Sequence, residues 1–190
     1  MQPQVGVLAL QGDFEAHARA LARAGAKARE VRTKADLEAI DALIIPGGES
    51  TTMLKLLAAE DLLEPLRAFG QEKPIFGTCA GAILLASEVT HPRQDSLALM
   101  DLTIERNGYG RQIDSRIAHI DLQGRPAEAV FIRAPVIRRA GPQTNVLATY
   151  NGDPVLVEQG RHLAATFHPE LTGDAEIHRY FLSKLESALD

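Results

Sequence analysis

This chain of 190 residues has one cysteine, no tryptophan and only a small net charge. A single cysteine excludes an internal disulfide and a zinc site built on thiolates, so we expect a reducing, cytoplasmic environment. Twenty basic and 25 acidic side chains give a net charge of −5, without the basic excess expected of a protein that binds nucleic acid or anionic membranes. The apolar runs are too short for a membrane span, and no basic segment precedes the first one, so we expect neither an anchor nor a signal peptide.

Apolar residues, in contrast, are plentiful. They make up 45% of the chain, which is enough to build a sizeable core, and no internal repeat, low-complexity tract or linker divides the sequence. We therefore expect one domain over residues 1–190.

The first half of the sequence alternates between two patterns. Short apolar runs over residues 5–10, 42–45 and 74–76 are typical of buried strands, and the repeating pattern predicts a further strand over residues 28–31. Helical patterns lie between or after them: residues 14–24, 34–40, a stretch from Ser50, 62–69 and 80–86. Such alternation predicts an α/β fold with a doubly wound, mostly parallel sheet.

The second half changes character after about residue 101. Short β-like segments are separated by Gly, Pro and Asn turns, and we expect antiparallel strands added to the same domain: residues 102–106, 117–122, 129–132, 146–150 and 154–158. Residues 163–167 form a last predicted strand. The final predicted helix carries an apolar stripe at four-residue spacing that should pack on the sheet: Ile177, Phe181, Leu185 and Leu189.

The single cysteine lies in Gly77-Thr-Cys-Ala-Gly81, between a predicted strand and a predicted helix. A nucleophile on such a sharp turn strains the backbone and packs closely on its neighbours, which favours glycine on both sides. The helix dipole favours the thiolate, and the amide of Ala80 points to where an oxyanion would form. A lone cysteine is more often a buried core residue, but this turn favours a nucleophile at Cys79.

His168-Pro-Glu170 follows the last predicted strand, at the sheet edge where α/β proteins place their sites. Residues two apart in an extended segment point the same way, so Glu170 can accept the imidazole N–H while the other ring nitrogen faces Cys79. The alternative is a surface turn without a catalytic role. The order Cys-His-Glu also differs from that of α/β-hydrolases, which weakens an esterase interpretation.

Pro46-Gly-Gly-Glu-Ser50 follows the third predicted strand, at the same edge as Cys79 if the sheet is parallel. The adjacent glycines Gly47 and Gly48 allow an unusual or switchable peptide orientation, suited to presenting a second N–H to an oxyanion. An equally available interpretation is a turn before a helix, with Ser50 as its N-cap.

Six segments, taken together and in order, resemble one family, the class I glutamine amidotransferases, and within it the glutaminase subunits of two-component pyridoxal 5′-phosphate synthases. They cover the chain nearly end to end: Leu10-Gln-Gly12, Pro46-Gly-Gly-Glu-Ser-Thr-Thr-Met53, Phe76-Gly-Thr-Cys-Ala-Gly81, Glu105-Arg-Asn107 with Gly110-Arg-Gln112, Phe131-Ile-Arg-Ala-Pro135 and Phe167-His-Pro-Glu-Leu171. Tyr109, where we expect Ser or Phe, and the loop over residues 92–96 depart from the family pattern without touching the proposed chemistry.

The resemblance implies a flavodoxin-like fold in which Cys79 is the nucleophile, His168 the base and Glu170 its orienting acid. It implies hydrolysis of L-glutamine without a metal or organic cofactor, and delivery of the ammonia to a separate synthase subunit that forms pyridoxal 5′-phosphate. It also implies a set of glutamine contacts: Gly48, Glu49, Ser50, Arg106, Ile132 and Arg133.

The charges of these implied contacts suit glutamine as a substrate. A carboxylate at Glu49 can hold the ammonium group, and guanidinium groups at Arg106 and Arg133 can hold the carboxylate. Without the resemblance, each arginine would be interpreted as a solvated surface cation.

Two other functional classes compete with the glutaminase interpretation. A cysteine peptidase or chaperone-like protein with a similar turn should carry histidine directly after the nucleophile, where this chain has Ala80. A catalytically silent module that only docks on a partner has no need of Cys79, His168 and Glu170. Glutamine hydrolysis, measured with and without the synthase, separates the three.

Overall fold

The computed structural model describes residues 2–107 and 116–187, and strands alternate with helices as far as residue 85. The strands of this half are β1 (Val5–Leu8), β2 (Ala28–Val31), β3 (Ala42–Ile45) and β4 (Ile75–Thr78). The helices are α1 (Phe14–Arg23), α2 (Lys34–Glu38), α3 (Ser50–Ala59), α4 (Leu63–Glu72) and α5 (Ala80–Leu85). The predicted bounds of β2 and β3 are confirmed, whereas β1, α2 and α5 end one or two residues earlier than expected.

Strands dominate the rest of the described chain. They are β5 (Ala86–Thr90), β6 (Met100–Glu105), β7 (Arg116–Leu122), β8 (Arg125–Phe131), β9 (Val136–Ala140), β10 (Asn145–Tyr150), β11 (Asp153–Gln159) and β12 (His162–Ala165). A 3₁₀ turn over Pro169–Leu171 and helix α6 (Glu176–Ser187) follow. None of the helices in the described ranges is long and apolar enough to cross a membrane.

The central sheet has seven strands in the order β10-β11-β12-β4-β3-β1-β2. The five strands from β12 to β2 are parallel, and β10 and β11 extend the sheet in antiparallel pairing. The predicted doubly wound, mostly parallel sheet with added antiparallel strands is confirmed.

Both faces of this sheet are covered, as alternate residues of its strands show. Leu43 and Ile45 of β3 belong to a core cluster beneath α3, α4 and α5, whereas Ala42 and Ile44 belong to a second cluster beneath α1 and α6. On α6 the predicted stripe is buried at Ile177, Phe181 and Leu185, and Leu189 lies outside the described residues.

Two smaller sheets lie outside the central one. β6 pairs antiparallel with β9 but parallel with β5, and β7 and β8 form an antiparallel hairpin. The predicted strand in β6 therefore has the expected antiparallel partner in β9, and in addition a parallel partner in β5. The strands β5 and β9 are absent from the sequence-based prediction.

Candidate active site

Three neighbouring parallel strands, β3, β4 and β12, bring the candidate residues to one edge of the sheet. β4 lies between the other two, with Gly77 opposite Ile45 and Thr78 opposite Ala165. The loops that follow these strands carry Gly47, Cys79 and His168. The predicted convergence at the carboxyl edge follows directly from this register.

Cys79 occupies the sharp turn between β4 and α5, with φ of 52° and ψ of −107°. A non-glycine residue rarely adopts a positive φ, and such strain is common at functional sites. A Cβ on Gly77 would lie 2.4 Å from the carbonyl oxygen of Gly81, and a Cβ on Gly81 would lie 2.1 Å from that of Ile45. Both flanking glycines are therefore required by close backbone packing, as the sequence indicates.

His168 lies between Cys79 and the carboxyl group of Glu170. Its Nδ1 lies 2.6 Å from Oε1 of Glu170, and the ring also interacts with the side chain of Cys79. Burial alone would lower the pKa of His168, but the hydrogen bonds to Cys79 and Glu170 outweigh it and raise the pKa to about 10. This ring is therefore built to carry a proton beside the cysteine.

The 3₁₀ turn over Pro169–Leu171 places Glu170 beneath the histidine, with only 2% of its side chain exposed. A buried carboxylate next to an imidazole holds the ring in one tautomer and supports its positive form. The arrangement Cys79, His168, Glu170 thus has the geometry of a nucleophile triad.

Gly47 packs against the side chains of both Cys79 and His168. A Cβ on Gly47 would lie 2.7 Å from Cε1 of His168 and 3.3 Å from Cβ of Cys79. A larger residue at position 47 would push the ring of His168 away from Cys79. The neighbouring Gly48 has φ of +145°, a conformation that L side chains rarely adopt.

The loop after β1 supports this glycine pair, a role that the sequence analysis did not assign. The side-chain oxygen of Gln11 accepts a hydrogen bond from the backbone N–H of Glu49 at 2.9 Å. The same Gln11 side chain fills the space beside Gly48. The Leu10-Gln-Gly12 motif was the available signal, but contact with the loop after β3 depends on β1 and β3 being neighbours.

Glu49 caps helix α3, so the alternative of Ser50 as the N-cap is wrong. The Glu49 carboxylate accepts hydrogen bonds from the backbone N–H groups of Thr51 and Thr52, and from Nη2 of Arg106 at 2.9 Å. The Thr52 hydroxyl is the largest of the influences that lower the pKa of Glu49 to about 2. The side chain of Glu49 is long enough to reach the first turn of α3, whereas Ser50 is buried and its hydroxyl donates to Oε1 of Gln94.

Ile132 and Arg133 lie just after β8, in the loop beside the histidine. The backbone N–H of His168 donates to the carbonyl oxygen of Val130 at 2.8 Å, which ties the end of β8 to the site. Arg133 is exposed and has φ of 45°. Ala80, the first residue of α5, is buried directly after Cys79.

Two parts of the sequence-based prediction lie outside the described residues, namely Gly110-Arg-Gln112 and Tyr109. Within residues 2–107 and 116–187, no cluster of three or more His, Cys, Asp or Glu side chains could hold a metal ion.

Comparison with known proteins identifies close relatives. The SNO glutamine amidotransferase family model matches residues 7–187. A pyridoxal 5′-phosphate synthase subunit PdxT from Solibacter usitatus is 60% identical, over 96% of this chain and 99% of that protein. The subunit of the same name from Pelotomaculum thermopropionicum is 55% identical, over 95% and 94%. A crystal structure of a glutamine amidotransferase, 48% identical, matches with a TM-score of 0.90 over 96% of this chain and 98% of its own.

Proposed function

The chain belongs to the SNO glutamine amidotransferase family, and from this premise we propose that it hydrolyses L-glutamine through Cys79, His168 and Glu170 to supply ammonia to a pyridoxal 5′-phosphate synthase subunit. The observation that carries the proposal is that Cys79 and His168 come together over Gly47 at the carboxyl edge of the sheet, with Glu170 bound to the far side of the His168 ring. We further propose that residues 1–190 act as one cytoplasmic glutaminase domain.

The reaction begins at the amide carbon of glutamine. The thiolate of Cys79 adds to this carbon, the C–N bond breaks, and ammonia leaves with the proton that His168 carries. A γ-glutamyl thioester remains on Cys79. Water then gives a proton to His168 and adds to the thioester, which releases glutamate and restores the thiolate.

The negative oxygen that forms during both additions needs hydrogen-bond donors. The backbone amide of Ala80 and the peptide between Gly47 and Gly48 are the proposed donors, because both lie in the turns beside Cys79. Removal of one such donor from an enzyme of this kind typically lowers kcat by about 10²- to 10³-fold.

The remaining contacts recognise the α-amino acid end of glutamine. Glu49 and Arg106 form an ion pair, so an incoming ammonium and carboxylate would share or exchange these partners. Gly48, Ser50, Ile132 and Arg133 complete the proposed set of substrate contacts. The exposed guanidinium of Arg133 is free to turn towards the substrate carboxylate.

The partner is proposed from the relatives, which are named as subunits of a pyridoxal 5′-phosphate synthase. Ammonia released without an acceptor is lost to water, so we propose that docking on the synthase activates the glutaminase. The peptide between Gly47 and Gly48 is the proposed switch, because glycines exchange orientations at little steric cost. A bias of about 3 kcal/mol corresponds to a rate change of order a hundredfold.

The test is glutamate formation from glutamine by the chain with saturating synthase, compared among three variants. Cys79→Ala and His168→Asn should abolish hydrolysis. His162→Asn is the matched control, since His162 is also buried but lies at the opposite end of β12, where it accepts a hydrogen bond from Ile75. Normal hydrolysis by Cys79→Ala would exclude the mechanism. Peptide cleavage without glutaminase activity would favour the peptidase class, and neither activity would favour a silent docking module.

A further inference from the structure

A buried polar cluster lies behind the acid of the proposed triad. Only Oε1 of Glu170 faces His168; the other oxygen, Oε2, is buried and has no hydrogen-bond partner within the described residues, and the Nε2 atom of His17 lies 3.4 Å from it. His17 comes from α1 and is fully buried. The same Nε2 lies 3.2 Å from Oγ1 of Thr78, the residue before the nucleophile.

A second histidine completes the cluster from the opposite helix. Nε2 of His178, on α6, lies 2.9 Å from Nδ1 of His17, and His178 is also fully buried. The cluster of His17, Thr78, Glu170 and His178 therefore joins α1, β4, the 3₁₀ turn and α6 beneath the active site.

The hydrogen-bond requirements of this cluster select one tautomer of His17. If Nε2 of His17 carries the proton, it donates towards Glu170 and Thr78, and Nδ1 accepts from Nε2–H of His178. The reverse arrangement would aim a lone pair of His17 at the carboxylate of Glu170. It would also leave an N–H on Nδ1 of His178, an atom without a partner in the described part of the chain, and a buried unpaired donor is costly.

Both histidines are neutral near pH 7. Burial, followed by the nearby His178 and His168, holds the pKa of His17 well below its usual value. Burial is also the main cause that lowers the pKa of His178 to about 4, with Arg23 adding to it and Asp174 opposing it. A neutral donor such as His17 orients the carboxylate of Glu170 and leaves its negative charge available to stabilise the imidazolium of His168. A lysine or arginine at position 17 would offset that negative charge.

We propose that His17 is a positioning residue for glutamine hydrolysis: its Nε2–H holds the second oxygen of Glu170, and His178 holds His17 in the tautomer that donates. The inference rests on the proposed function, because it assigns His17 to the support of the same triad. The 3.4 Å separation is long for a hydrogen bond, as distances in catalytic sites often are before substrate binds, and the proposal requires it to shorten in the reacting complex.

The test compares His17→Leu, which deletes the donor, with His17→Gln, whose amide nitrogen can restore it. With saturating synthase, His17→Leu should lower kcat by about ten- to a hundredfold, the effect of a small misplacement of a catalytic group, with KM for glutamine unchanged within about twofold. His17→Gln should recover most of that loss. His162→Asn should leave kcat and KM unchanged.

A spectroscopic readout separates positioning from a loss of stability. In the NMR spectrum of the full chain, the proton on Nδ1 of His168 should move upfield in His17→Leu and stay in place in His162→Asn. If His17→Leu does not fold, His178→Leu serves instead, since it removes the group that fixes the tautomer, and the same resonance should move.

The outcomes distinguish a failure of the role of His17 from a failure of the proposed glutaminase function. Normal kcat and an unmoved His168 resonance in the folded variants would overturn the role of His17 alone. Equal losses in His17→Leu and His162→Asn would also overturn it, because any buried histidine would then have the same effect. Normal hydrolysis by Cys79→Ala in the same series would instead remove the proposed function itself.

Discussion

Gly12 packs so closely on Gly47 that a Cβ on Gly12 would lie 1.9 Å from the Gly47 carbonyl oxygen. The loop after β1 therefore packs directly on the peptide between Gly47 and Gly48, which the proposed oxyanion site uses. Gln11 adds a second link through its hydrogen bond to the backbone of Glu49. Neither residue needs to touch glutamine to affect its hydrolysis.

Gly12→Ala should lower both stability and kcat, because the new methyl group forces the Gly47 carbonyl to move. The control is Gly25→Ala: both glycines have positive φ, 85° and 92°, but a Cβ at Gly25 meets nothing within 4 Å. Gly25→Ala should therefore show the backbone strain alone, about 1 kcal/mol. Urea unfolding and steady-state kinetics measure the difference, and equal effects of the two substitutions would contradict the role of the contact.

Cys79 should be the site of covalent attack by glutamine analogues. It is the only cysteine of the chain, so a chloroketone analogue of glutamine should give one adduct by mass spectrometry, and Cys79→Ala should give none. Pre-incubation with glutamine should slow the labelling. An adduct on any other residue would argue against Cys79 as the nucleophile.

His168→Asn and Glu170→Gln should both lose activity, but not equally. The first removes the group that carries the proton, whereas the second keeps the shape of the acid and loses only its charge. We expect losses of several orders of magnitude, with His168→Asn the more severe, since triad residues act as a unit. Measurement of kcat with saturating synthase checks this, and near-normal rates in either folded variant would refute the triad.

Stability should fall as the pH drops from about 6.5 towards 4, because burial lowers the pKa of both His162 and His178 to about 4. In that window the unfolded chain binds these protons and the folded chain does not, so each histidine contributes a slope of about 1.4 kcal/mol per pH unit. His162→Asn should remove one such contribution. Urea unfolding at several pH values measures the slope; an unchanged slope in the variant would disprove the assignment.

Docking on the synthase should raise the rate of glutamine hydrolysis, by the proposed reorientation of the peptide between Gly47 and Gly48. We expect an increase of order a hundredfold when saturating synthase is added to the isolated chain. Glutamate release gives the rate in both states. Equal rates would rule out the switch, and full activity of the isolated chain would also weaken the assignment to a two-component enzyme.

Local sequence patterns were sufficient for β2, β3 and the turn at Cys79, because each depends on neighbours in the chain. β2 and β3 are bounded by polar residues or proline, and the turn needs glycine at positions 77 and 81 for reasons of close packing. Strand β5 was not predictable in this way. It begins at Ala86, directly after α5 and without an intervening turn signal, and depends on parallel pairing with β6.

His17 shows the corresponding limit for the candidate site. In the sequence it is one polar residue within an Ala- and Arg-rich helix, with nothing nearby to suggest a partner. Its contacts come from β4, the 3₁₀ turn and α6, which only the tertiary fold brings to α1. Glu49 illustrates a smaller ambiguity, since both it and Ser50 precede α3 and only the backbone geometry decides which one caps the helix.

The pairing of β12 with β4 has a consequence for the order of events during synthesis. Ile75 and His162, which join the starts of these strands, are 87 positions apart. Contacts between such distant segments form only after a long loop has closed. A growing chain therefore contains β1 to β4 and Cys79 before His168, the proposed base, has been synthesised. Under the proposed mechanism, a chain truncated before the segment that follows β12 would contain the thiol of Cys79 but would not hydrolyse glutamine.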